Sequence, residues 1–345
     1  MDRVFITGAS GFIGSNLANA LANAGTPVHV LVRQSSNTID LHHPNITMFT
    51  GDILNVESIR MAMQGCTRVY HLAGLAKMWM KDKQAYHYIN ITGTDNVLGV
   101  ARSLGIEKTV FTSTAGVLPP VKDSLINERS PKQPALYTEY ELTKNQAEEI
   151  AVTYIQEGLP VVITYPTNVF GEGIINDSNA ATMMIRDYIN GKWKIIPGDG
   201  EGIMNYVYID DVIMGLILAM QTAQPGSSYI LGGENASYNT FFALIKELTG
   251  IQRRLYHIPY PIVRSIAWLE DAKTKWIGLK PFITSEWVKK LPHNWSKDIS
   301  KAKQELNYYP MSLKEGIART IEWLGQTKQI HVTLTSLMEL EGPLT

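Results

Sequence analysis

Short apolar runs recur through the first half of the chain, at Val4–Thr7, Val28–Val32, Ile46–Thr50, Arg68–Leu72, Thr109–Ser113 and Val161–Tyr165. They run on without apolar–polar alternation, as strands covered on both faces do. Helical patterns lie between them. In Phe12–Ala24, the residues Phe12, Ile13, Leu17, Ala20, Leu21 and Ala24 share one helical face, and Gly25 supplies a stop. Asp82–Leu104 and a stretch from about Leu136 to Gly158 are two more. This alternation predicts an α/β fold: a Rossmann-type, doubly wound parallel sheet. After about Phe170 the rhythm breaks. Loops rich in Gly, Asn and Asp (Gly171–Asn179, Pro197–Gly202) separate helices expected at Asp211–Thr222 and Asn239–Thr249 and a strand at Ser228–Leu231. The expected organisation is a dinucleotide-binding domain over 1–169 and a smaller α+β substrate-binding region over 170–330, partly interleaved with it. A tail, 331–345, has weak strand-type patterning and no assigned role.

Composition narrows the function classes. Of 345 residues, 45% are hydrophobic and 18% charged, with a net charge of -1 and scattered basic residues, which argues against nucleic-acid binding. One cysteine, Cys66, excludes an internal disulfide and fits a reducing compartment. The chain enters a strand at Arg3–Thr7 with no charged-then-apolar leader. Its longest apolar stretches, such as Val212–Met220, are about half of a membrane span. A cytoplasmic protein without a membrane span is expected. His42 and His43 lack a spaced partner set, so no metal site is expected.

The first strand runs into Gly8-Ala9-Ser10-Gly11-Phe12-Ile13-Gly14, and a helix follows. Glycines at such a turn let the backbone approach a pyrophosphate, and the helix start at Phe12 and Ile13 offers free N–H groups and the positive dipole end. The second strand ends Val32-Arg33-Gln34, with no acid for a ribose 2′-hydroxyl. Arg33 could instead face a 2′-phosphate, which favours NADP(H) while leaving NAD(H) open.

Tyr140 and Lys144 stand four residues apart inside a predicted helix and so share a face. An ammonium beside a phenol lowers the phenol pKa, and a tuned phenol can exchange a proton with a carbonyl or alcohol oxygen. Tyr137 has no lysine at that offset. The fifth strand ends Thr112-Ser113-Thr114-Ala115-Gly116, where open α/β sheets bind ligands. On chemistry alone Ser113 and Thr114 could each hold a substrate oxygen.

The order of these features resembles the extended short-chain dehydrogenase/reductase superfamily. The likeness covers nearly the whole chain and takes in Gly51-Asp52-Ile53, His71-Leu72-Ala73-Gly74, Asn90-Ile91-Thr92-Gly93-Thr94, Pro166–Gly171, Asn205–Asp211, Ser300-Lys301-Ala302 and Leu306-Asn307-Tyr308. It implies that Asp52 and Ile53 flank the adenine, that Leu72, Ala73, Gly74 and Thr112 line the cofactor, and that Pro166, Thr167, Asn168 and Val169 close over the nicotinamide. It selects Thr114 over Ser113 for the catalytic triad with Tyr140 and Lys144. It gives Asn90 a structural role and His71 a packing role. A homodimer is common in the superfamily.

Within that superfamily two departures matter. Ala115-Gly116 follows Thr114 where sugar dehydratases carry Asp-Glu, and Met204 stands where many nucleotide-sugar enzymes carry a diphosphate-binding Arg. Local likeness is strongest to dihydroflavonol-reductase-like and 3β-hydroxysteroid-dehydrogenase-like members. The expectation is therefore an NADP(H)-dependent reductase of a small apolar or carbocyclic ketone, with Lys77, Met78, Trp79, Asn168 and Met204 towards the substrate. The alternatives are a nucleotide-sugar epimerase on tightly bound NAD, kept open by the likeness of Tyr229–Asn235 to hopanoid-locus epimerases, and a non-catalytic NADP(H)-binding regulator.

Overall fold

A computed structural model describes residues 2–120, 124–131 and 136–330. The tail at 331–345 lies outside the described residues. Among the described residues twelve strands appear in chain order: β1 Val4–Thr7, β2 Val28–Val32, β3 Ile46–Thr50, β4 Arg68–His71, β5 Lys108–Thr112, β6 Val161–Pro166, β7 Asn168–Phe170, β8 Ile195–Pro197, β9 Ile203–Tyr208, β10 Ser228–Leu231, β11 Glu234–Ser237 and β12 Tyr256–Ile258. Seven form a parallel sheet in the order β10-β6-β5-β4-β1-β2-β3. The order reverses between β1 and β4, which opens a crevice at their carboxyl ends. Every residue of β1 and β6 is buried, as an unbroken apolar run requires, whereas the edge strand β3 is partly exposed.

The helix Phe12–Asn23 starts on Gly11 and ends at Ala24, ahead of Gly25 in a left-handed conformation. The pattern at 82–104 resolves into Gln84–Tyr86, a π-helical turn His87–Thr92, and Gly93–Ser103. The helix Glu139–Gln156 is capped by Thr138, whose hydroxyl accepts from the Glu141 N–H at 3.2 Å.

Past Phe170 the chain keeps returning to the main sheet. The helix Ile209–Thr222 packs on β5 and β6, and β10 extends the sheet beyond β6. The remaining strands form two small sheets, β11-β9-β7 and β12-β8. One hydrophobic core spans the main sheet and the helices Tyr238–Thr249 and Leu313–Gln326. A separate small cluster (Val263, Ala267, Val288 and Leu291) joins the helices Tyr260–Ile277 and Ser285–Val288.

Candidate active site

The tightest packing in the crevice is at the glycine turn. Gly8 has φ +75°, and a Cβ on it would lie 2.6 Å from the Ala73 nitrogen. A Cβ on Gly14 would lie 2.1 Å from the Gly8 carbonyl oxygen. Only glycine lets β1, the end of β4 and the first helix meet here. No acidic residue occupies the first turn of Phe12–Asn23. A close backbone cradle at a helix N-terminus fits a dinucleotide pyrophosphate. The hydroxyl of Thr167, just past β6, is buried without a hydrogen-bond partner, which leaves a polar group for a ligand on the same edge.

The other expected cofactor positions gather on that edge because each follows a strand of one parallel sheet. Arg33 follows β2, and its side chain is exposed with no ion pair among the described residues. Asp52 and Ile53 follow β3. The Asp52 carboxylate accepts from the Leu54 N–H at 2.9 Å, and Ile53 fills the space above Gly93. Leu72, Ala73 and Gly74 follow β4, Thr112 ends β5, and Pro166 to Val169 lead from β6 into β7.

Thr114 lies beside Tyr140, and its hydroxyl acts on the phenol. Thr114 also accepts from the Gly116 N–H at 3.2 Å and so caps a short 3-10 turn, Ala115–Val117. Ser113, though adjacent, is buried and points towards Glu148, 3.5 Å away. Lys144 is buried beside them. Its Nζ donates to the Thr112 carbonyl at 2.9 Å and lies 4.5 Å from the centroid of the Phe111 ring. Burial lowers Lys144 to about 8, against the pull of Glu148. Burial pushes Tyr140 up to about 12, the neighbouring Thr114 hydroxyl pulls it down, and the Glu141 charge adds to the rise. The lowered phenol expected from the Tyr140–Lys144 pairing is thus corrected: in this arrangement desolvation outweighs any ammonium effect, and Lys144 turns one of its three N–H donors to Thr112.

A relay of hydrogen bonds fixes His71 at the end of β4. Thr94 Oγ1 donates to the Asn90 carbonyl at 2.6 Å and is 2.9 Å from His71 Nε2. Thr7 Oγ1 lies 2.7 Å from His71 Nδ1 and accepts from the Ala73 N–H at 3.2 Å. Thr94 has given its proton to Asn90, so Nε2 donates to it; the buried ring stays neutral, which leaves Nδ1 to accept from the Thr7 hydroxyl. Burial, with the nearby Lys144 charge, lowers the imidazole pKa to about 3. Asn90 sits in the π-helical turn, accepts from the Leu75 N–H at 2.7 Å and donates to Thr143 at 2.9 Å. It ties the loop after β4 to the helix that carries Tyr140.

Of the expected substrate positions, Lys77 is exposed and its carbonyl accepts from the Tyr86 hydroxyl at 2.7 Å; Met78 and Trp79 are half-buried in the same loop. Asn168 donates to the Asn205 carbonyl at 2.8 Å. Met204 lies on β9, half-buried against the core.

Sequence reasoning missed a polar set brought in from the far end of the chain. Asn205 donates to Asn235 at 2.8 Å, and Asn235 exchanges two hydrogen bonds with the Lys297 backbone. The buried Lys297 Nζ donates to the carbonyls of Ala115 and Leu118, both at 3.0 Å, and so holds the turn that Thr114 begins. Lys290 pairs with the buried Glu141, next to Tyr140, and lies over the Trp295 ring. Tyr137 stacks on His293 and meets Trp295 edge-on. Two lysines in a loop read as solvated charge, so the sequence carried no signal for them beyond the neighbouring tryptophan.

The model of the NAD dependent epimerase/dehydratase family matches residues 4–232. The chain is 31% identical over 328 residues to a Synechocystis sp. protein provisionally named dihydroflavonol 4-reductase, covering 93% of this chain and 94% of that one. It is 28% identical to sterol demethylase protein B of Methylococcus capsulatus (94% and 99% covered). It is 27% identical to a Stigmatella aurantiaca ketoreductase of a farnesylated 3-oxo-dihydroquinoline oxide (89% and 91%). Among solved structures it is similar to gox2253, with a TM-score of 0.83 at 26% identity over 96% of this chain and all of that one. It is also similar to the UDP-glucose 4-epimerase of Thermotoga maritima, with a TM-score of 0.79 at 25% identity over 94% and 99%. The chain belongs to the NAD dependent epimerase/dehydratase family, within the extended short-chain dehydrogenases/reductases, and is an NAD(P)-dependent oxidoreductase.

Proposed function

We propose that the protein is an NADP(H)-dependent reductase of an apolar or carbocyclic ketone. The observation that carries this reading is the gathering of Thr114 and Tyr140 beside a buried Lys144, with Ala115 and Gly116 next in line where water elimination would need an acid and a base. The names of two relatives, a ketoreductase and a dihydroflavonol reductase, support the same chemistry.

When bound, the reduced cofactor supplies the hydride. The backbone at Gly8, Gly11, Phe12, Ile13 and Gly14 would hold its diphosphate, Arg33 its 2′-phosphate, and Asp52 and Ile53 the adenosine. Leu72 to Gly74 and Pro166 to Val169 would line the rest. Thr114 holds the carbonyl oxygen beside Tyr140. Tyr140 then gives its proton to that oxygen. A phenol raised to about 12 is fully protonated at neutral pH, which is the state reduction requires. Lys144 helps hold the ribose and keeps a positive charge near the oxygen. The half-buried Met78, Trp79 and Met204, with Asn168 and the stem of Lys77, would form the substrate wall.

The test is to denature the purified protein, identify any released nucleotide, and titrate the emptied protein with NADPH and NADH before a screen of cyclic ketones. Exchangeable binding that prefers NADPH, with turnover abolished by Tyr140→Phe, is the expected result. Tightly retained NAD without NADPH preference would put an epimerase first. Turnover that survives Tyr140→Phe would remove the mechanism.

A further inference from the structure

The helix Tyr260–Ile277 carries two apolar stripes, one buried and one exposed, about a third of a turn apart. Val263 and Ala267 face inward, in the small cluster with Val288 and Leu291. Ile262, Ile266, Leu269, Trp276 and Ile277 recur at helical spacing in the other stripe, and all are exposed. The loop that follows adds Leu279 and Phe282, the latter 71% exposed, and Trp276 is 88% exposed. The strip is interrupted at Lys273, which is paired with Glu270, and an exposed apolar surface of this kind on a folded protein marks an interaction site.

Charge decides the partner. The acids nearby are engaged within the fold: Glu270 with Lys273 and the Phe282 N–H, Asp271 with the Ser285 N–H, and Glu286 with Lys83. Arg264, Lys275 and Lys289 form no ion pair among the described residues and leave the face positive. A second copy docked through the same patch would offer Arg264, Lys275 and Lys289 no free acid, because the acids of this face are already engaged. Anionic headgroups would neutralise them instead. Between this helix and Ser285–Val288 lies an open groove of about 640 Å³, floored by Pro261, Trp268, Leu269 and Val288 and edged by Arg264 and Lys289. Apolar floor and cationic rim match the two halves of an acidic phospholipid. Among the described residues no helix is long and apolar enough to cross a membrane, so this one would lie in the interface plane, with Trp268 and Trp276 at headgroup depth.

We propose that residues 260–282 dock this protein on the surface of a bilayer that contains anionic phospholipid. The face adjoins the helix Glu139–Gln156: Glu286 bonds Lys83 at 3.1 Å, and Lys83 lies 3.9 Å from Glu139, the residue before Tyr140. A docked molecule would hold the Tyr140 end of its crevice close to the lipid. This inference does not rest on the ketone-reductase reading, and its test uses no substrate.

Flotation of the full chain with phosphatidylcholine vesicles, with and without phosphatidylglycerol, tests it. Binding to the mixed vesicles only, with quenching of tryptophan emission by brominated acyl chains, is expected. Arg264→Gln with Lys275→Gln should weaken that binding about 30-fold, at roughly fivefold per cation. Trp276→Ser with Ile277→Ser should abolish the quenching at position 276; both side chains are exposed, so unchanged melting points are expected. No flotation with either vesicle, or flotation indifferent to both variants, would overturn the proposal. So would a dimer in sedimentation equilibrium that Trp276→Ser dissociates. So would removal of residues 331–345 if, without vesicles, it opened Trp276 to acrylamide, since a second copy or the tail would then cover the face.

Discussion

Lys144 Nζ and the Thr112 carbonyl oxygen stand 2.9 Å apart, which pins the helix Glu139–Gln156 to the carboxyl end of β5. The contact couples fold and chemistry, because the same ammonium sits over Phe111 and is placed four residues from Tyr140. Replacing Lys144 with Met keeps the length and removes both the charge and the donor. Turnover should fall about 100-fold or more. Arginine should not rescue it, since a planar guanidinium does not fit a slot shaped for one ammonium. Steady-state kinetics of the two variants, beside their melting points, check this; near-normal turnover in Lys144→Met would refute the assigned role.

Thr114 and Ser113 are chemically equivalent hydroxyls that the strand end turns in different directions. Thr114 meets Tyr140, whereas Ser113 points towards Glu148. Thr114→Val should therefore lower kcat by roughly 100-fold, Thr114→Ser should keep most of the activity, and Ser113→Ala should act mainly on stability, by about 1 kcal/mol. Reversed effects at the two positions would show that the substrate oxygen is held elsewhere.

Arg33 stands exposed after β2 without an ion pair among the described residues, where it can meet a phosphate. Charge-assisted hydrogen bonds contribute about 1.5–3 kcal/mol, so Arg33→Ala should weaken NADPH roughly tenfold to a hundredfold and leave NADH almost unchanged. Fluorescence titration of both nucleotides measures this. Equal losses would mean that Arg33 does not read the 2′ position.

The residues legible in the sequence were those whose signal is local. The strands of the first half were readable because burial on both faces leaves unbroken apolar runs, and Tyr140 with Lys144 because one helical turn joins them. Strands of three residues, such as Asn168–Phe170 and Tyr256–Ile258, are too short to show a period. Tyr260–Ile277 was not recognised because its buried and exposed apolar residues together cover a wide arc of the helix and blur its amphipathic pattern. Lys297 reaches the turn after Thr114 from some 180 positions away along the chain, and only tertiary structure shows that its charge is buried. The opposite error concerned Tyr140: adjacency to Lys144 suggested a lowered phenol, but desolvation, which sequence does not report, acts the other way.

His71 offers a test of the buried relay through pH. Folded, its imidazole takes a proton only near pH 3; unfolded, it does so near 6.5. Between those values the unfolded chain holds one more proton than the folded one. Stability from this group is therefore complete above about pH 6.5 and is lost as pH falls towards 3, by up to ~1.4 kcal/mol per pH unit. His71→Gln keeps a donor and an acceptor for Thr94 and Thr7 but cannot titrate. The variant should be less stable than the parent at pH 7, because its amide will not reproduce the ring's stacking on Phe111. Its stability should nevertheless fall less steeply between pH 6.5 and 4.5, so that the two curves converge in acid. Urea unfolding across that range measures both slopes. Parallel curves would mean that His71 is not the group whose protonation opposes the fold, and the neutral relay between Thr7 and Thr94 would have to be abandoned.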